Sequence, residues 1–69
     1  MTYLELTKKL RRLGCEFRRQ GKGGHEVWWY PERNRYTTIS FHGNNDIPKG
    51  TVAAILRDFD LIKEDLDKA

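Results

Sequence analysis

The sequence predicts an α+β fold in the order helix, three strands, helix, with a short helical turn at the C-terminus. Three observations lead to this prediction. Apolar residues recur at helical spacing near both ends of the 69-residue chain, residues of the middle part alternate with a period of two, and turn-forming residues separate its runs. Such segregated elements favour a three-stranded antiparallel sheet with two helices on one face and the other face open. We expect residues 1–69 to form a single domain with a small core.

The first helix is expected to follow Thr2, because Thr2 to Glu5 has the capping-box pattern in which two side chains satisfy backbone N–H groups. Gly14 is suited to end the helix in the left-handed conformation. The residues between them give one apolar stripe, made of Tyr3, Leu6, Leu10 and Leu13.

The three strands are predicted over residues 15–20, 25–30 and 36–41, with a glycine-rich turn and a turn beginning at Pro31 between them. In the first strand, period-two alternation places Cys15, Phe17 and Arg19 on one face. In the second, only one of Trp28 and Trp29 can face the helices. In the third, Ile39 and Phe41 are expected to face the helices.

The second helix is expected to be capped by Asp46 and to accept Pro48 in its first turn, where a missing N–H is not needed. Its apolar stripe consists of Val52, Ile55, Leu56 and Phe59. Residues 61–68 then have enough helix-forming residues for the short terminal turn.

Charge is distributed unevenly along the chain, although the net charge is only +3. Lysines and arginines dominate residues 8–22 and carboxylates dominate residues 58–67. The basic half could bind nucleic acid, and a solvated helix face would give the same composition.

Cysteine content and hydropathy exclude several other classes of protein. Cys15 is the single cysteine, so an internal disulfide is impossible, and we expect it in the core and not as a nucleophile. The sequence shows no zinc-type spacing of cysteine and histidine and no apolar run long enough for a membrane span. We therefore predict a cytoplasmic protein that needs no metal and no cofactor.

The stretch Gly21 to Tyr30 contains the principal candidate for chemistry, His25. Glycines at 21, 23 and 24 allow a tight turn and close approach of another molecule, and Lys22 adds a positive charge. Histidine can give or take a proton near neutral pH, whereas a lone histidine at the end of a hairpin is more often structural. The residues by themselves leave both roles open and favour the structural one.

Three motifs together resemble the HicA mRNA interferase toxins of bacterial toxin–antitoxin pairs: GKGGHEVW, the strand end FHG, and DIPKGTVAAILRD. The resemblance implies a fold like that of a double-stranded-RNA-binding domain and a metal-independent endoribonuclease that cleaves mRNA and arrests translation. It also implies that the essential histidine falls on His25, and that a HicB-type antitoxin covers the active site. Where many relatives carry a second histidine or another polar residue, this chain has Glu26.

On this interpretation His25 is the general acid or base, and RNA is bound by neighbouring cations, glycines and an aromatic ring: Arg18, Arg19, Lys22, Gly23, Gly24 and Trp28. His42 is either a second acid or base or a residue that hydrogen-bonds within its own loop, with the structural role favoured. The alternative for the whole chain is a small noncatalytic module that binds RNA or another protein.

Overall fold

The structure is a computed structural model and describes residues 1–41 and 45–69. The elements are, in order, α1 (Tyr3–Leu13), β1 (Glu16–Gln20), β2 (His25–Tyr30), β3 (Arg35–Ser40), α2 (Lys49–Asp58) and α3 (Lys63–Lys68). The strands form one antiparallel sheet in the order β1-β2-β3. The predicted α+β fold with its α-β-β-β-α order is confirmed, and α3 is the expected C-terminal turn.

Helix α1 begins and ends as its sequence predicts. The hydroxyl of Thr2 accepts from the Glu5 N–H while the Glu5 carboxylate accepts from the Thr2 N–H, which completes the capping box. Gly14 ends the helix with φ of 103°, in the left-handed region. Leu6 and Leu10 are fully buried.

The core lies between one face of the sheet and the three helices. Its members are Leu6, Leu10, Cys15, Trp28, Tyr30, Ile39, Ile47, Ile55, Leu56, Phe59, Leu61 and Leu66. The opposite face of the sheet, which we call the open face, is covered by none of the described helices. Of the described helices, none is both long and apolar enough to cross a membrane.

A β-bulge in β1 corrects the predicted faces of that strand. Phe17 pairs with Trp28 and Arg19 pairs with Val27, so Arg18 is the extra residue. Cross-strand partners share a face, and Arg19 therefore lies on the open face with Val27. Its prediction on the face of Cys15 and Phe17 was wrong, because the bulge keeps a charged side chain away from the core.

Two further predictions fail around the third strand and the second helix. Ile39 is buried as expected, but Phe41 is 61% exposed, beyond the end of β3, with its ring edge-on to Tyr3. Helix α2 begins after Pro48, which caps it without a side-chain hydrogen bond. Asp46 instead forms a β-bridge with Thr2 and an ion pair with the N-terminal amine. These contacts hold the segment before α1 next to the segment before α2.

Candidate active site

His25 is the first residue of β2, and its side chain is exposed where the glycine-rich turn meets the sheet. The turn is a short 3-10 segment, Lys22–Gly24, in which Gly23 and Gly24 have φ of 61° and 80°. These left-handed conformations suit glycine, since other residues adopt them at a cost. The predicted turn chemistry therefore places His25 at an edge that solvent and ligands can reach.

The backbone of His25 is held by two hydrogen bonds to its carbonyl oxygen. The N–H of Gly21 donates to it at 2.7 Å and the side-chain amide of Gln20 donates at 3.2 Å. A Cβ at position 21 would stand 3.1 Å from this same oxygen, which is tighter than ordinary contact. Gly21 thus favours the close approach that closes the hairpin behind the histidine, since a side chain there would displace the neighbouring carbonyl by a few tenths of an ångström.

The imidazole ring of His25 is oriented by Ser40. The two residues are cross-strand partners on β2 and β3, and Ser40 Oγ lies 3.0 Å from Nδ1. A hydroxyl can donate to a bare ring nitrogen or accept from a protonated one, so this contact accommodates either tautomer. Within residues 1–41 and 45–69, Nε2 has no hydrogen bond, and it remains available to a substrate.

Exposed cations lie in the turn and on the neighbouring strand β1. Arg18, Arg19 and Lys22 are all exposed, and the bulge directs both arginines to the open face. Glu16 is the carboxylate that shares this face, opposite Trp29. The surroundings of His25 therefore favour an anionic ligand.

Trp28 is fully buried, so its predicted role in stacking on RNA is wrong. Its Nε1–H donates to the Glu26 carboxylate at 3.0 Å, and the hydroxyl of Tyr3 donates to the same carboxylate. Burial first, and then this hydrogen bond, raise the pKa of Tyr3 to about 12. Glu26 thus joins α1 to β2 on the helix side of the sheet, away from the ring of His25.

Trp29 is the tryptophan that points away from the helices, as the alternation of β2 requires. Its ring is nearly parallel to that of Tyr36, with centroids 6.0 Å apart and planes 17° apart, and the Arg18 guanidinium lies 5.0 Å from its centroid. We call Arg18, Trp29 and Tyr36 the planar row. It crosses all three strands on the open face.

Sequence reasoning missed Ser40 and Tyr36 as residues of the open face that could serve the site. Both face residues of β2 across an antiparallel pair, Ser40 opposite His25 and Tyr36 opposite Trp29. Counting the register outward from the turn at Pro31–Arg33 would have paired them, because residues opposite each other share a face.

The remaining candidates are His42 and Cys15. His42 lies outside the described residues. Cys15 is buried in the core as predicted, and burial raises the pKa of its thiol to about 11. A neutral, buried thiol is a poor nucleophile. Among the described residues, no three His, Cys, Asp or Glu side chains cluster in a way that could hold a metal ion.

Comparison with protein families gives a match that covers most of the chain. The model of the HicA toxin of bacterial toxin–antitoxin systems matches residues 4–61. The chain belongs to the HicA toxin family. This HicA family member is therefore the toxin of a toxin–antitoxin pair, and an antitoxin is its partner. No curated protein and no solved structure matches the chain significantly.

The matched range of the HicA family includes every element that builds the candidate site. His25, its turn and Ser40 lie inside residues 4–61, as does the planar row. Helix α3 follows the matched range and packs Leu66 into the core. In this HicA protein the site is thus formed by the family's own segment, with α3 on the far side of the sheet.

Proposed function

We propose that this HicA toxin is a metal-independent endoribonuclease that cleaves mRNA and so arrests translation, with His25 as general acid or base. The observation that carries the proposal is the placement of His25 at the mouth of the glycine turn. Its ring is exposed, Ser40 lies within hydrogen-bond distance of Nδ1, and exposed cations are present in the turn and on β1, at Lys22 and Arg19. The resemblance described above supports the same residue and the same activity.

The cleavage uses the ribose 2′-hydroxyl of the RNA as nucleophile. The 2′-oxygen loses its proton and attacks the adjacent phosphorus, while the bond from phosphorus to the 5′-oxygen breaks and that oxygen gains a proton. The products are a 2′,3′-cyclic phosphate and a 5′-hydroxyl. His25 Nε2 takes the first proton or supplies the second, and Ser40 keeps the ring in the orientation that either step needs.

Binding of the scissile phosphate is assigned to the exposed cations beside the histidine. Lys22 in the turn and Arg19 on β1 supply charge-assisted hydrogen bonds to phosphate oxygens, which become more negative as the 2′-oxygen attacks. Arg18, whose guanidinium lies over the Trp29 ring, contributes to RNA binding farther along the strand. Gly23 and Gly24 add no side chains, so the RNA backbone can approach the turn closely.

The antitoxin is proposed to be HicB-type and to act by covering the exposed ring of His25. A protein placed over the turn would exclude RNA from both the histidine and its cations. The toxin is proposed to act in the cytoplasm, where translated mRNA is found.

The proposal is tested by inducing wild type and His25→Ala in bacteria and mapping new 5′ ends of mRNA. We expect growth arrest and new 5′-hydroxyl ends with wild type, and neither with the variant. Lys22→Ala should lose part of the activity, whereas Lys63→Ala, which removes an exposed lysine on α3, should lose none. Growth arrest that persists in His25→Ala contradicts the assignment. Arrest without new RNA ends would favour the noncatalytic module.

A further inference from the structure

The open face of the sheet carries a structure that the cleavage chemistry does not use, the planar row. Trp29 and Tyr36 are cross-strand partners, and their rings are stacked in nearly parallel planes. Tyr36 keeps 48% of its surface exposed. An exposed aromatic pair on a sheet suggests a surface that binds flat ligands.

Arg18 extends the planar row to the third strand. The bulge at Arg18 lets its guanidinium lie over the Trp29 ring, at 5.0 Å from the centroid. Guanidinium planes and aromatic rings are both surfaces on which unpaired bases stack. Because Arg18 and Tyr36 flank Trp29 on its two neighbouring strands, the surfaces that the row offers to a base are the outer faces of the guanidinium and of the tyrosine ring.

The Trp29 indole has an unsatisfied polar atom. Its Nε1–H is buried and finds no acceptor among the residues that the structure describes. A buried donor without a partner costs about 1–3 kcal/mol. The atom is closed to ligands in this arrangement, so a base would stack on the exposed side chains of the row, Arg18 and Tyr36.

The distance from the planar row to the proposed catalytic histidine can be spanned by a few nucleotides. His25 and Trp29 point to the same face of β2 and are four residues apart, which corresponds to about 13 Å at about 3.3 Å per residue. A stacked strand of nucleic acid spans this distance with about four nucleotides. Arg19, opposite Val27, lies between the two sites and can hold a phosphate of the connecting backbone.

We propose that the planar row is a base-stacking subsite for single-stranded RNA, which leads the strand along β2 to His25. The inference rests on the proposed ribonuclease function and assigns it a substrate class. Bases paired in a duplex are stacked on one another and cannot lie on the rings, so the subsite selects unpaired segments. Arginines at 18 and 19 outnumber Glu16 on this face and complement the phosphates.

The test separates binding from cleavage by measuring both. Binding of a short fluorescein-labelled RNA without self-complementarity is measured in the His25→Ala background, and cleavage is measured with His25 intact. Tyr36→Ala should weaken binding about 5- to 100-fold, the range for loss of one base-stacking surface, and should raise KM more than it lowers kcat. Tyr36→Phe keeps the ring and should bind within about twofold of its parent.

Arginine variants test the charge component. Arg19→Ala should weaken binding and reduce the slope of log K against log salt by about 0.7, the value for one phosphate contact on a single strand. Arg57→Ala, an exposed arginine on α2, and Ile62→Ala, an exposed apolar residue before α3, are the matched controls and should leave both assays unchanged.

Several outcomes would overturn the inference and leave the ribonuclease intact. One is a Tyr36→Ala variant that binds and cleaves like its parent. Another is a duplex of the same sequence that competes as well as the single strand. A third is loss of binding to the antitoxin, but not to RNA, in the planar-row variants, which would assign the surface to the protein partner. Failure of the ribonuclease proposal looks different: wild type binds the RNA and does not cleave it.

Discussion

Ser40 and His25 face each other across β2 and β3, and the serine hydroxyl lies 3.0 Å from Nδ1 of the imidazole. This contact connects the register of the sheet to the chemistry proposed for the site. The strand pairing fixes the position of His25 at the start of β2, and the Ser40 hydroxyl fixes the orientation of its imidazole ring. An exposed histidine without such a contact would sample several rotamers, and Nε2 would face the substrate only part of the time.

Ser40→Ala is expected to lower kcat/KM for RNA cleavage about 3- to 10-fold, because one hydrogen bond of about 0.5–1.5 kcal/mol orients the ring. Ser40→Thr should restore most of the activity. The control is Thr38→Ala, an exposed hydroxyl on the same face of β3. An unchanged rate in Ser40→Ala would show that the ring is oriented by something else.

The two tryptophans should differ in their effect on stability. Trp28→Phe removes part of a fully buried ring and its hydrogen bond to Glu26, so we expect the free energy of unfolding to fall by about 1–3 kcal/mol. Trp29→Phe should cost less, because Trp29 is only partly buried and its Nε1–H has no partner in the described chain. Urea unfolding measures both. Equal losses would contradict the assignment of the two faces of β2.

Gly24 and Gly50 form a second matched pair. Gly24 has φ of +80°, so Gly24→Ala should destabilise the protein by about 1–2 kcal/mol although no atom lies within 4 Å of the added Cβ. Gly50 lies in α2 with equally open space, and Gly50→Ala should stabilise by about 0.4–1 kcal/mol. Thermal unfolding measures the two changes in stability, which should have opposite signs. A neutral Gly24→Ala would mean that the turn does not need its left-handed backbone.

Cys15 should be chemically silent in the folded protein. Burial raises the pKa of its thiol from 9.0 to about 11, so the folded state favours the neutral form. The associated stability is complete below about pH 9 and is lost as the pH rises through about 11. A thiol reagent at pH 8 should react slowly with native protein and rapidly in urea. Fast native labelling, or loss of RNA cleavage in a folded Cys15→Ala variant, would contradict this account.

The order of the elements could be predicted from the sequence because each signal was local. The capping box at Thr2, the left-handed Gly14 and the apolar stripes of α1 and α2 depend on neighbours within a few residues, and all appear in the structure. The alternation of β2 likewise predicted that only one tryptophan would be buried.

The failed predictions depend on contacts between distant parts of the chain. The bulge at Arg18 becomes visible only when β1 is paired with β2, and it moves Arg19 to the open face. Asp46 was predicted to cap α2, but its backbone pairs with Thr2 and its carboxylate forms an ion pair with the N-terminal amine. Ser40 and Tyr36 carry no motif and become visible as partners of His25 and Trp29 only through the register of β3.

The most direct test of the ribonuclease proposal is cleavage of a purified mRNA by wild type and by His25→Ala, with a metal chelator present. Circular dichroism and urea unfolding must first show that both proteins are folded. We predict that wild type cleaves the mRNA, leaving 5′-hydroxyl ends, and that the variant does not. Equal cleavage by the two proteins, or cleavage that the chelator abolishes, would contradict a metal-independent mechanism built on His25.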